Sequence, residues 1–410
     1  MTSSLKKQML WNAVGNAIYL VCQWLLVVLV TNMGGFSDAG VLSIAMSVSA
    51  TFQTVAMFGI RSFQVSDLTG EYTDTHYVGF RLVTCTLSLL LCVGFSLVAH
   101  YLGIQLLAIF LFMLFRLAES FSDVLHGIAQ KNDRLDIAGK SFAIKGIGLL
   151  IAFYASYRFV GNLCFSLFLM AAFSILSTVL FDYFIVRRFS KFTLLVKSSD
   201  CFSIALKTFP LCLYMFFHSA LSTVPKIFLE RLLGEELLGA YSSVFAPVLL
   251  ISAVAIYVYQ PFVGAFAATH RDGKRKEFLS LLLKIVLVLL AFSVMMLITA
   301  HFLGAFALSL VFGDKILEYT DFLTPILFGI IGIALLSLLE TLTVILRDFV
   351  WLLIGCGIGL ASELALSYPL IRSAGANGAS YVMIIATALA SVILLFRILC
   401  LAGKRKEPMA

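Results

Sequence analysis

The stretch "RLLGEELLGAYS", Arg231 to Ser242, stands half a chain after "NMGGFSDAGVLS", Asn32 to Ser43. At an offset of 199 residues Gly35 meets Gly234, Gly40 meets Gly239 and Ser43 meets Ser242. Each stretch joins one long apolar run to the next. The match continues into the runs before the turns, where Tyr19 aligns with His218 and Gln23 with Ser222. A turn used twice, half a chain apart, predicts a repeated architecture, and the flanking runs say of what kind.

Hydrophobic residues make up 61% of the 410 residues and charged residues 12%, against about 25% charged in soluble domains. A soluble chain of this length could not hide so much apolar surface, so an integral membrane protein is expected. Twelve apolar runs stand out, at 10–32, 39–61, 79–101, 104–127, 140–158, 161–186, 205–229, 239–265, 278–303, 322–346, 349–370 and 377–401. Each is near the ~20 residues with which a helix crosses a bilayer. The runs are continuous and lack period-two alternation, which predicts helices rather than strands. The first run is too long for a signal peptide, contains Asn12, Asn16 and Gln23, and ends without a small-residue cleavage site, so it is expected to stay as a span.

Lysine and arginine set the orientation. With twelve spans, one side holds both termini and most of the 29 basic residues, among them Lys6, Lys7, Lys131, Arg134, Arg187, Lys191, Arg271, Lys276 and Lys404. The opposite side has Arg158, Lys226, Arg231, Lys315 and Arg372. This bias predicts cytoplasmic termini. The net charge of +7 is then a topology signal, with no nucleic-acid partner implied. The basic loops 187–197 and 271–276 read as solvated segments, with membrane lipid heads as the alternative contact.

Turns after the first and the seventh span predict two six-helix lobes. Six is even, so the repeat is parallel. The expected organisation is an N-terminal lobe at 1–186, a basic cytoplasmic linker at 187–204, a C-terminal lobe at 205–401 and a tail at 402–410. Two bundles around a midplane cavity are a common transporter plan.

Polar residues within spans carry the functional reading, because a charge at the bilayer centre costs about 2.5–3.5 kcal/mol on the insertion scale. Arg116, Glu119, Ser120, Asp123, Gly127 and Gln130 fall on one face of the fourth span. Asn12, Asn16, Tyr19 and Gln23 repeat the spacing on the first, and Tyr214, His218, Ser222 and Lys226 on the seventh. The stripes read either as a water-accessible cavity or, for Arg116 and Glu119, as a structural pair one turn apart. His218 alone reads equally as a packing residue. Glu340 and Glu363 are buried carboxylates on the tenth and eleventh spans. They are candidate proton or cation sites, as are Glu119 and Asp123, or else fixed partners of a buried base such as Lys145. Arg61 and Arg347, near span ends, are expected to snorkel.

The eight cysteines form no CxxC pair, so neither a disulfide framework nor a metal site is expected. No P-loop, HExxH or GxSxG occurs, and the loops are too short for an ATPase domain. No enzyme activity and no cofactor are expected. Transport would run on an ion gradient, on the substrate's own gradient or on a partner.

Five segments in order resemble one family. The start "LWNAVGNAIYLVCQWLLVVLVTNMGGFSDAGVLSIAMS" is similar to the opening helix pair of Wzx-type polysaccharide flippases, in the multidrug/oligosaccharidyl-lipid/polysaccharide exporter superfamily. "RLAESFSDVLHGIAQKNDRLDIAGKSFAIKGI" resembles its fourth and fifth helices, and "VPKIFLERLLGEELLGAYS" its second-half pair. "LVFGDKILEYTDFLTPIL" and "AGANGASYVMIIATALA" resemble its closing segments. The family often has an arginine before the first turn. This chain has Asn32 there, while Arg231 stands at the repeat position. The resemblance implies a V-shaped two-lobe fold in a bacterial cytoplasmic membrane. It implies a substrate of undecaprenyl pyrophosphate carrying an oligosaccharide repeat unit for O-antigen or capsule, moved to the outer leaflet by alternating access. Polysaccharide polymerase or glycosyltransferase partners would follow. On that reading Arg116, Lys145 and Lys226 complement the pyrophosphate, and Tyr19, Gln23, Tyr214 and His218 meet sugars. The alternative is a cation-coupled drug or small-molecule antiporter of the same superfamily, with a more acidic and aromatic cavity.

Overall fold

A continuous apolar chain in hydrocarbon must satisfy its backbone internally, and the helix does this within one segment. The computed structural model describes residues 3–67, 70–194 and 197–402, without the side chains of 3–6, 198–199 and 250–257. No strand occurs among the described residues. The first helices are α1 (Ser3–Met57), α2 (Ile60–Ser66), α3 (Asp74–Val98), α4 (Gly103–Lys131) and α5 (Leu135–Val160). Next, α6 (Leu163–Ser177) passes through a π-helical turn, Thr178–Tyr183, into α7 (Phe184–Val186). After α8 (Ser198–Leu233) and α9 (Glu235–Tyr259), a 3-10 turn at Gln260–Phe262 leads to α10 (Val263–Arg271). Last come α11 (Arg275–Phe312), a 3-10 segment Asp314–Phe322, α12 (Leu323–Ile345), α13 (Phe349–Ala374) and α14 (Ala376–Leu401).

Among the described residues ten segments are long and apolar enough to cross a membrane, the first of them the 60-residue Lys7–Ser66. That segment is two crossings. Before Gly35, Gly15 lies against Gly139 and Gly34 against Tyr157, so this part of α1 runs parallel to α5. After Gly35, the Ser88 hydroxyl donates to Phe52 O at 2.5 Å and Arg81 to Ala56 O at 2.6 Å, so this part runs antiparallel to α3. Since α4 is antiparallel to α5, with Lys145 on Ser122 and His126 beside Phe142, the chain has reversed at Gly35. The last expected run to be placed, 239–265, lies mainly on α9. Twelve crossings result.

Gly35 makes the reversal with φ 77° and ψ −173°, a region closed to residues with a Cβ. Gly234, its partner at the repeat offset, has φ 88°. Positive φ recurs at Gly103, Gly161, Gly313 and Gly375, so every odd connection turns on a glycine and the two halves match turn for turn.

The chain divides into two compact units, Met1–Ser219 and Ala220–Ala410, and the division falls inside α8. In the first unit α1 and α5 meet closely. A Cβ on Gly15 would lie 1.9 Å from the carbonyl oxygen of Gly139, the backbone approach that small residues permit between membrane helices. In the second unit Gly378 meets the Leu370 carbonyl in the same way, bringing α13 and α14 together. Outward faces are apolar: Leu90, Val98, Leu303, Phe306 and Leu310 are all exposed, the surface a helix shows to lipid. The expected tail lies outside the described residues except for Ala402, as do residues 195 and 196 of the expected linker.

Candidate functional site

Helix α4 is the spine of the polar region in the first unit. Side chains at i+3, i+4 and i+7 share a helical face, and the stripe at 116, 119, 123, 127 and 130 is used in this way. Asp123 is held from two sides. Arg61 on α2 donates to its Oδ1 at 2.8 Å, and Arg81 on α3 donates to its Oδ2 at 3.0 Å. Arg61 also donates to Gln130 at 3.2 Å. Its expected snorkelling is therefore corrected: a carboxylate one helix away outcompetes water for the guanidinium. Gly127 leaves space for Gln64, which donates to Val124 O at 3.3 Å.

One to two helical turns toward the start of α4, Arg116 donates to Glu119 at 3.0 Å. Its guanidinium lies 5.2 Å from the centroid of the Phe112 ring and 5.4 Å from that of Phe115, within cation–π range. Arg116 and Glu119 keep 17% and 13% side-chain exposure, so the pair is reachable. The Gln53 amide reaches the Arg116 carbonyl at 3.5 Å.

A second polar face of α4 points at α5 and the π-helical turn. The Lys145 ammonium donates to Ser122, to Thr178 at 3.0 Å and to Asp182 at 2.7 Å. The other oxygen of Asp182 lies 3.1 Å from His126 Nε2. Asp182 and Lys145 are 0% and 3% exposed. All three ammonium protons are thus committed in an enclosed network. The wide π turn sets Thr178 and Asp182 inward together, a use common for such turns.

The expected residues distribute as follows. Arg116, Glu119, Asp123, Lys145, Tyr19, Gln23, Tyr214 and His218 belong to the first unit, and Lys226, Glu340 and Glu363 to the second. Within the first unit the Gln23 amide donates to the Tyr19 hydroxyl at 3.2 Å, and Tyr19 packs on Phe142, whose ring also meets His126. Tyr19 is thereby joined to the edge of the Lys145 network. Tyr214 and His218 sit half-buried on α8. In the second unit the Lys226 ammonium lies 4.2 Å from the centroid of the Phe245 ring. Glu340 accepts from the Cys356 thiol at 3.2 Å. Glu363 is fully buried with neither carboxylate oxygen hydrogen-bonded. Lys145 is therefore the partner of Asp182, not of Glu340 or Glu363.

Sequence reasoning missed Asp182, His126, Arg81 and the role of Arg61. Asp182 was visible as an acid inside the run 161–186, and His126 as the residue one turn beyond Asp123. Arg61 stands near a span end, where snorkelling is expected, and Arg81 lies near the start of the third run, where it counts only toward the basic side. Four cations (Arg61, Arg81, Arg116 and Lys145) face three carboxylates; Arg81 and Lys145 are enclosed, which leaves Arg61 and Arg116 as the partly exposed groups that could meet an anion. No group suited to a metal ion occurs among the described residues.

No protein-family model matches the chain. It is 27% identical over 326 residues to the capsular polysaccharide biosynthesis protein CapF of Staphylococcus aureus, covering 78% of this chain and 80% of that protein. Its fold is that of solved transporters. An inward-facing multidrug resistance MATE family transporter of the MOP superfamily superposes with a TM-score of 0.69 at 11% identity, over 96% of this chain and 98% of the other. The lipid II flippase MurJ, in an inward closed conformation, gives 0.68 at 15% identity, over 94% and 87%. A Pyrococcus furiosus MOP superfamily transporter described by a reversed polarity of its binding pocket gives 0.57 at 12% identity, over 98% and 96%. These similarities bear out the expectation of an all-helical, multi-pass membrane protein, with the fold of solved MOP superfamily transporters and a sequence similar to a capsular polysaccharide biosynthesis protein.

Proposed function

We propose that the protein moves undecaprenyl-pyrophosphate-linked oligosaccharide repeat units from the cytoplasmic to the outer leaflet of a bacterial cytoplasmic membrane, with both termini in the cytoplasm. The observation that carries this reading is Arg116. It is a partly exposed guanidinium within a span, shared between one carboxylate and two aromatic rings. A guanidinium offers a planar fork that fits phosphate oxygens bidentately. When a diphosphate arrives, its charge can replace Glu119 as the answer to Arg116. Tyr19, Gln23, Tyr214 and His218 supply donors and acceptors for sugar hydroxyls. Lys226 is the cationic contact of the second unit. Lys145, enclosed by Asp182, positions α4 against α5 rather than touching the cargo. The capsular polysaccharide relative and the lipid II flippase neighbour support a lipid-linked glycan as the substrate class.

Alternating access of lobes 1–186 and 205–401, with 187–204 as the linker, is the proposed route of translocation. Crosslinking the first span to the seventh would then block export while leaving the protein folded. Of the carboxylates that could couple an ion, Asp123 is engaged by two guanidinia and Glu119 by one, Glu340 accepts from a thiol, and Glu363 has no hydrogen bond. Glu363 is accordingly the preferred coupling group. The same residue is what a cation-coupled small-molecule antiporter would use, which makes that the second reading.

Deleting the gene tests the proposal. Loss of surface polysaccharide with lipid-linked repeat units retained on the cytoplasmic leaflet is the expected result. Unchanged polysaccharide together with increased sensitivity to cationic dyes would replace the proposal with the antiporter.

A further inference from the structure

A charged cavity lies away from the polar region around α4. It encloses about 250 Å³ where the beginning of α1 meets the beginning of α5, and its lining is Lys7, Gln8, Trp11, Arg134, Asp136 and Lys140. Three cations share one carboxylate. Asp136 accepts from Arg134 at 3.1 Å and from Lys140 at 2.9 Å, and no acidic side chain among the described residues pairs with Lys7. The local excess is two positive charges. The Lys140 ammonium also lies 5.7 Å from the centroid of the Trp11 ring, and Trp11 remains 41% exposed.

The surroundings identify the ligand class. Two exposed apolar tracks leave this cavity. On α1 it is Leu10, Val14 and Val21, which share one helical face, and on α5 it is Ile144, Ile147 and Ile151, which continue the face begun by Lys140. A free phosphate would use the cations alone and make no use of the lipid-facing tracks that run from them. A phospholipid uses both: its head in the cavity, its chains along the helices. Tryptophan at the head of an apolar helix face marks the level of the membrane–water interface, and basic pockets between membrane helices on the cytoplasmic side suit anionic lipid heads. The volume is below the roughly 300–1,000 Å³ of sites that enclose a drug-sized ligand, so it accepts a phosphate head and not an oligosaccharide.

We infer that the Lys7–Trp11–Lys140 cavity binds the phosphate headgroup of an anionic membrane phospholipid, whose chains lie along the exposed faces of α1 and α5. The close Gly15–Gly139 contact fixes the two helices on which the site is built. The inference is independent of the glycan cargo and uses the proposed orientation only to assign the site to the cytoplasmic leaflet.

The test uses the full chain purified in detergent. Phosphatidylglycerol should raise its unfolding temperature and phosphatidylcholine should not. Lys7→Gln/Lys140→Gln should need at least about tenfold more phosphatidylglycerol for the same shift, given the attraction of each basic residue to an anionic surface. Lys191→Gln/Arg275→Gln, in the other basic loops, should respond like the parent. An unchanged response of the Lys7/Lys140 variant would overturn the inference. Equal protection by inorganic phosphate would reassign the site to a free anion, and preferential protection by a polyprenyl pyrophosphate would reassign it to cargo; either result overturns the phospholipid. A second measurement needs no change to the cations. With Trp24→Phe/Trp351→Phe leaving Trp11 as the sole tryptophan, brominated phosphatidylglycerol should quench it more than brominated phosphatidylcholine at equal mole fraction. Equal quenching would contradict the site.

Discussion

The two units answer buried charge differently. In the first, carboxylates are bracketed: Asp123 lies between Arg61 and Arg81, and Asp182 between Lys145 and His126. In the second, Glu363 is buried with no hydrogen bond to either oxygen, and Lys226 faces an aromatic ring. The ion pair Asp348–Arg397 of that unit, 2.7 Å, sits at helix ends. A bracketed charge ties helices together, since removing one partner strands the other in low dielectric. An unbracketed one ties nothing and is open to a ligand that brings its own charge. The repeat thus preserves turns and helix order while the buried charges diverge.

Removing Asp182 should break the first half of this comparison most severely. Asp182→Ala strands Lys145 beside His126 and should cost about 3–5 kcal/mol, the range for a broken buried pair. Little folded protein should be recovered from membranes. The double variant Lys145→Ala/Asp182→Ala should regain much of it, and an Asp182→Ala protein melting like the parent would show that the network is not a tie. Asp123→Ala should cost about 3 kcal/mol, the low end of the same range. Arg61 is 27% exposed and can turn to water, whereas Arg81, at 0%, cannot. Thermal unfolding of the single variants should accordingly rank Arg81→Ala below Arg61→Ala.

Gly139→Leu probes the packing instead of the charges. Its side chain would meet the Trp11 carbonyl, where even a Cβ would lie 2.2 Å away. Overpacking of this kind costs about 1–3 kcal/mol, again read as a lowered unfolding temperature. Glu363→Gln should have the smallest effect on stability, within about 1 kcal/mol, because no hydrogen-bond partner is lost. Its export should nonetheless fall, if Glu363 is the coupling group. A Glu363→Gln protein as unstable as Asp182→Ala would erase the difference between the units.

The fold was legible because it rests on features local in sequence. Continuous apolar runs specify helices in lipid, and the Gly35/Gly234 offset marked two turns that prove to share a positive φ. The α4 stripe was legible for the same reason, its members being spaced by helical turns. What escaped lies across long separations. Nothing near Asp123 in sequence indicates Arg61 or Arg81, 62 and 42 residues away. The π turn that brings Asp182 to Lys145 has no signature in an apolar run. The result is that Lys145, read as a candidate cargo contact, is enclosed by a partner that periodicity could not supply.

The most direct test concerns Arg116, the group on which the substrate reading rests. In Arg116→Ala/Glu119→Ala both charges of the pair are gone, so no buried charge is stranded and the protein should reach the membrane in parental amount with a near-parental unfolding temperature. Glycan export should nevertheless be lost, and Arg116→Lys should retain a small part of it, a point charge standing in for a bidentate fork. A double variant that exports glycan at the parental rate would contradict the proposal and leave the Arg116–Glu119 pair as a structural tie alone.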